Sequence, residues 1–178
     1  MPEHLLECSM LVPRPLADVF AIYENPSNLG RITPPWLNFR IATKEKITMR
    51  EGARIDYVIR WMGVPMRWRT VISTYDPPYS FVDEQERGPY SLWRHTHTFE
   101  ETEEGVLVGD EVRYRLPLGA IGQVAHGSLV AAQLRAIFRY RQKAVAQMFG
   151  VPLIERVAPR ILRVPAEAAL SNLRRSKA

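Results

Sequence analysis

The chain has one cysteine, Cys8, so it can form no intrachain disulfide, and no cysteine cluster is available to hold a metal. No apolar run approaches the roughly 20 residues needed to span a bilayer, and the N-terminus lacks the apolar stretch of a signal peptide. The expectation is a cytoplasmic protein. Phosphate-cradling loops are also missing, because Gly119, Gly122 and Gly127 fit neither the P-loop nor the dinucleotide spacing. No Gly-x-Ser-x-Gly elbow occurs, and His126-Gly127-Ser128 lacks the strand–turn–helix setting, which argues against a Ser-His-Asp hydrolase.

What is present is an ordinary globular composition. The 178 residues are 46% hydrophobic and 24% charged, which suits one domain with a sizeable core. The net charge of +5 is unevenly placed. Residues 135–178 carry ten Lys/Arg against two Asp/Glu, so the rest of the chain is slightly acidic. A basic C-terminal segment offers a surface for an anionic membrane or a protein partner. It reads equally as a solvated helix face with a frayed tail, since its charges are interleaved with Ala, Leu and Val.

The hydrophobic period divides the chain into elements. His4 to Val12 reads as a strand. Pro15 then opens a helix, with Leu16, Val19, Phe20 and Tyr23 at helical spacing. A second short helix from Pro26 must stop before Pro34-Pro35. From Leu37 to Leu116 the period is two, broken by turns at Met62-Gly63, Pro77-Pro78, Gly88-Pro89 and Glu103-Glu104. That gives six consecutive strands, an antiparallel meander covered on one face only. The cover is a long helix with Val130, Leu134, Ile137, Phe138, Val145, Met148 and Phe149 in one stripe, interrupted at Arg141. Its start falls between Ala120 and Ser128, and Gly150 with Pro152 stops it. The fold class is α+β, with about seven strands wrapped on the long helix. Residues 1–150 form the domain. Residues 151–178, with prolines at 152, 159 and 165, read as a basic arm, with a short helix over Ala166–Arg174 or in disorder.

The most telling strand is Trp93-Arg94-His95-Thr96-His97-Thr98-Phe99. Strand side chains alternate faces, so Trp93, His95, His97 and Phe99 share the buried one. A turn at Glu103-Glu104 sets Asp110 opposite His97. Two imidazoles and a carboxylate inside an apolar face need partners, because an unpaired buried polar group is costly. From the other strands Tyr57, Trp61, Trp68, Phe81 and Tyr114 point inward as well, with Leu134 and Phe138 facing them from the helix. Each of these on its own is a core filler contributing ~1.5–3 kcal/mol by burial. Together with the polar groups they are better explained by an internal cavity.

His95 and His97 have three readings: ligand-orienting donors, a base–orienter pair of His97 with Asp110, or a structural cross-strand pair. His-x-His supplies two metal ligands and Asp110 a third, but no independent ligand cluster accompanies them, so neither metal nor other cofactor is expected. Asp83 and Gln85 share the parity of Phe81 and are further pocket candidates, or surface residues at a strand end. Arg60, Arg67 and Arg69 lie on the outer face without exposed aromatics, so no nucleic acid is expected there.

The order of elements resembles the helix-grip fold of the START-like (SRPBCC) superfamily over about residues 3 to 149. It is nearest the bacterial branch of polyketide cyclase/dehydratase-like and coenzyme-Q-binding-like proteins. Pro15-Leu16-Ala17-Asp18-Val19-Phe20, Phe81-Val82-Asp83-Glu84-Gln85, Gly88-Pro89-Tyr90, Trp93-x-His95-x-His97-x-Phe99, Asp110-x-Val112-x-Tyr114-x-Leu116-Pro117 and Phe138-Arg139-Tyr140-Arg141 carry the local likeness. The resemblance implies a deep apolar cavity and no particular reaction. The leading expectation is a protein that binds a polyketide, quinone or lipid-like molecule. One alternative is an aromatase/cyclase- or dehydratase-type enzyme using His97 and Asp110 for proton transfer. Another is a non-catalytic adaptor acting through the basic arm.

Overall fold

The computed structural model describes residues 2–61, 63–117 and 129–164. An eight-stranded antiparallel sheet curves around one long helix. Strand β1 (Glu3–Val12) leads through Pro13 into helix α1 (Leu16–Glu24). Pro15 stands just before the helix rather than at its first position, and its carbonyl accepts from the Asp18 and Val19 amides. Leu16, Val19, Phe20 and Tyr23 are buried, as their spacing requires. A 3-10 turn at Pro26–Asn28 and the short α2 (Leu29–Ile32) follow.

The meander then runs through β2 (Arg40–Ile41), β3 (Arg54–Trp61), β4 (Val64–Asp76), β5 (Ser80–Arg87), β6 (Leu92–Thr102) and β7 (Gly105–Arg115). Each strand pairs with the next, and β1 closes the series against β7, with Cys8 opposite Asp110. The β6–β7 hairpin places His97 directly opposite Asp110, the register that a turn at Glu103-Glu104 imposes. Helix α3 (Ala131–Phe149) lies across the concave face and buries Leu134, Phe138 and Val145. The expected helix start, Ala120 to Ser128, lies outside the described residues. Gly150 ends the helix at φ 63°, a left-handed conformation that favours glycine, and its amide bonds to the Ala146 and Gln147 carbonyls. Among the described residues no helix is long and apolar enough to cross a membrane.

Residues 154–164 require a correction. They are not part of a loose or helical arm but an eighth strand, β8 (Ile154–Val164), antiparallel to β1 at the sheet edge. Pro159 argued against a strand because proline cannot donate to a ladder. Here the register shifts between Glu7–Arg160 and Ser9–Val157, so Ala158 and Pro159 fall in a bulge on an edge strand, where proline is tolerated. The basic charges are used locally: Arg160 pairs with Glu7 and Arg156 with Glu104. The helix expected over Ala166–Arg174 lies outside the described residues.

Deleting residues 151–178 therefore removes a strand of the domain. The truncated protein is expected to lose at least ~3 kcal/mol, a fall of roughly 6–12 °C in thermal midpoint for a chain of this size. A melting curve unchanged from the full chain would show that β8 contributes nothing to the folded unit.

Candidate functional site

Between the sheet and α3 lies a cavity of about 420 Å³. Tyr57, Trp61, Trp68, Phe81 and Trp93 line it from the sheet, with Leu134 and Phe138 opposite them on the helix. The rings pack on one another: Tyr57 stacks on Trp68 at 5.8 Å, and Trp93 meets Trp68 edge-on at 5.2 Å. Aromatic pairs in such offset and T-shaped arrangements hold each other's orientation. The Trp61 indole donates to Gln133 on the helix, and the Tyr57 hydroxyl lies 3.3 Å from Thr70 Oγ1. Trp68 Nε1 is buried and makes no hydrogen bond among the described residues.

Three of the expected site residues do not line this cavity. Phe99 is 2% exposed and packs between Phe20 and Tyr23 of α1, at 5.3 and 5.0 Å. Tyr114 is fully buried against His4 and Tyr90. Asp110 sits behind the imidazoles. Strand parity assigned all three to the correct face, but position along the strand decides between cavity and core. Phe99 lies where α1 crosses the sheet, and no space remains there.

His95 and His97 line the cavity floor, their rings 3.8 Å apart, and each is flanked by two carboxylates. On the inner side, His95 Nε2 is 2.8 Å and His97 Nδ1 3.1 Å from the same Asp110 oxygen. On the cavity side, His97 Nε2 is 3.0 Å and His95 Nδ1 3.4 Å from one Asp83 oxygen. Asp83 thus belongs inside, next to Phe81, and lines the cavity. Gln85 takes a different part. Its amide clamps Tyr90, donating to the Tyr90 carbonyl at 2.7 Å and accepting from its amide at 3.2 Å. Gly88 is what permits the clamp, since a Cβ there would lie 2.3 Å from the Gln85 amide oxygen.

Arg141 completes the cluster from α3. It is the polar break in the helix's apolar stripe, and its buried Nε is 3.9 Å from Asp110 while its guanidinium lies 5.4 Å from the Tyr23 ring centre. The break in periodicity was the sequence signal for it, but nothing in the sequence paired it with Asp110, since their registers are unrelated until the helix docks. Burial alone would raise the Asp110 carboxyl, but Arg141 and the two histidines hold it well below the usual carboxylate range. Asp83 is likewise held down by His95 and His97 against the effect of burial. Burial, reinforced by His97, drives His95 down to about 4, so its imidazole is neutral at pH 7. Burial pushes the Tyr23, Tyr57 and Cys8 protons up, so none of these groups supplies an anion. The arrangement can hold and move protons between imidazole and carboxylate at one end of an apolar chamber.

A family model described as polyketide cyclase/dehydrase and lipid transport matches residues 12–163. Among solved structures the chain is similar to TTHA0849 of Thermus thermophilus, with a TM-score of 0.61 and 20% identity over 82% of this chain and 96% of that one. It is also similar to major latex-like protein 151 of Panax ginseng, with a TM-score of 0.63 and 12% identity over 85% of this chain and all of the other. At these identities the likeness is one of fold. No curated protein sequence matches the chain.

The Asp110–Arg141 contact ties sheet to helix, and losing one partner leaves the other charge buried and uncompensated. Arg141→Met is expected to cost about 3 kcal/mol in urea unfolding, and Asp110→Asn added to it to recover much of that loss. Two purely additive losses would show that the pair is not coupled.

Proposed function

We propose that the chain, which belongs to the polyketide cyclase/dehydrase and lipid transport family, encloses one small-to-medium apolar molecule between its sheet and long helix, a polyketide, quinone or lipid-like compound. The observation that carries this reading is a chamber with aromatic walls and its ionisable groups gathered on one floor. Its volume of about 420 Å³ falls in the lower half of the ~300–1,000 Å³ typical of small-molecule sites. Apolar area withdrawn from water there gains roughly 25 cal/mol per Å². Trp68 Nε1 is a buried donor for which an oxygen on the ligand is the natural acceptor. An apolar body bearing an oxygen acceptor is the molecule that suits these groups best.

The floor supports a second reading. His97 hydrogen-bonds Asp83 through Nε2 on the cavity side, with Asp110 3.1 Å from its other nitrogen, an arrangement suited to proton transfer beside a carbonyl. In that reading the chamber folds a poly-carbonyl chain for cyclisation or dehydration. Docking through the C-terminal segment draws less support, because Arg156 and Arg160 are engaged by Glu104 and Glu7.

Ile59 is half-buried and lines the cavity from β3. Ile59→Trp narrows the chamber, and it is expected to weaken binding of the apolar fluorophore anilinonaphthalene sulfonate at least tenfold while leaving the circular dichroism spectrum native. Equal binding by the variant and the parent would place the fluorophore elsewhere and remove support for the chamber. His97→Ala separates the two readings: if His97 is the base it abolishes turnover of a poly-carbonyl substrate and spares binding, and if His97 only orients the ligand's polar end it weakens binding.

A further inference from the structure

Four nitrogen–oxygen contacts of 2.8, 3.0, 3.1 and 3.4 Å join His95 and His97 to the two carboxylates, yet only two have hydrogen-bond geometry, His95 Nε2 with Asp110 and His97 Nε2 with Asp83. His97 Nδ1 is buried and makes no hydrogen bond among the described residues, although an Asp110 oxygen lies 3.1 Å away. On the cavity side His95 Nδ1, His97 Nε2 and an Asp83 oxygen converge within 4.8 Å of one another. Atoms so placed can share one cation, and a cation held on His97 Nε2 leaves Nδ1 to carry the ring's N–H toward Asp110.

We propose that Asp83, His95 and His97 form a binding site for one divalent first-row transition-metal ion on the cavity floor, with Asp110 as the positioning residue behind both histidines. Metal–nitrogen and metal–carboxylate bonds near 2.0–2.2 Å put adjacent ligand atoms roughly 3.0–3.4 Å apart, and the two contacts to Asp83 are 3.0 and 3.4 Å. Two imidazoles and a carboxylate suit zinc, iron, nickel or copper rather than calcium or magnesium. A ligating histidine normally gives its second N–H to a carboxylate, and here Asp110 is hydrogen-bonded to His95 Nε2 and lies 3.1 Å from His97 Nδ1. Arg141 faces Asp110, so the pair is close to neutral and the ligand set presented to the ion carries the single charge of Asp83. The same three ligands line the cavity whereas Asp110 does not, so the remaining coordination positions face whatever the chamber holds. In the loaded protein His97 is a ligand rather than a base. The inference stands apart from the identity, or presence, of the apolar ligand.

Full-length protein stripped with a chelator is titrated with Co²⁺ alone, followed by its visible absorption, and then competed with Zn²⁺. Saturable one-to-one uptake is expected. Asp83→Asn and His97→Gln should each weaken it about a hundredfold or more, and Asp110→Asn by about tenfold to a hundredfold. Glu84→Gln, on the outward face beside Arg94, should bind as the parent does. Should Asp83→Asn fail to fold, the contrast between His97→Gln and Glu84→Gln decides. Absence of saturable uptake by the folded parent at millimolar Co²⁺, or uptake that Asp83→Asn leaves unchanged, overturns the site. The fluorophore measurement is made without metal and the titration without apolar ligand, so failure of either reading leaves the other result intact.

Discussion

Two carboxylates and two imidazoles lie within contact distance of each other in an otherwise apolar interior, and the surrounding structure is arranged around the desolvation of those groups. Taking an ion out of water costs several kcal/mol even after relaxation. The cost is met by convergence: strands β5, β6 and β7 each contribute members at matching registers, with Asp83 beside His95, and His97 opposite both Phe81 and Asp110. Arg141 supplies the opposing charge from the other layer, which gives the long helix an electrostatic as well as an apolar reason to dock where it does. The aromatic walls then surround a chamber whose floor is polar and whose sides are not. Fold, cavity and cluster are in this sense one arrangement.

Much of this was legible in the residues. Period-two alternation in β6 assigned His95 and His97 to the inner face, and a two-residue turn at Glu103-Glu104 was enough to bring Asp110 opposite His97. The apolar stripe of α3 identified the covering helix. The misreadings have physical causes. Parity cannot tell a cavity wall from packed core, so Phe99 and Tyr114, correctly placed facing inward, sit under α1 and beside His4 instead. Pro159 obscured β8, because a bulge on an edge strand admits a proline that an interior strand would not. Arg141 showed itself as a flaw in the stripe, yet its partner lies on an element with no local sequence relation to it. Asp83 was ambiguous because parity near a strand end does not fix depth.

Placing β8 against β1 changes how the basic C-terminal region is understood. Arginines that suggest a docking patch in the linear sequence answer Glu7 of β1 and Glu104 of the β6–β7 turn, and the strand extends the ladder beyond β1. The family match running to residue 163 accords with this boundary. The chamber is then the feature that most distinguishes the molecule: its walls are aromatic, its floor carries the Asp–His cluster, and the Trp68 indole N–H has no hydrogen bond among the described residues.

Native mass spectrometry of the gently purified chain, set against its denatured mass, tests the enclosure of a ligand most directly. After incubation with an extract of isoprenoid quinones and lipids, a one-to-one adduct that survives gentle ionisation and disappears on denaturation is expected, with a mass identifying an apolar, oxygen-bearing molecule. A folded chain that emerges at its bare mass after saturation with the extract would contradict the claim that the chamber is built to hold such a ligand.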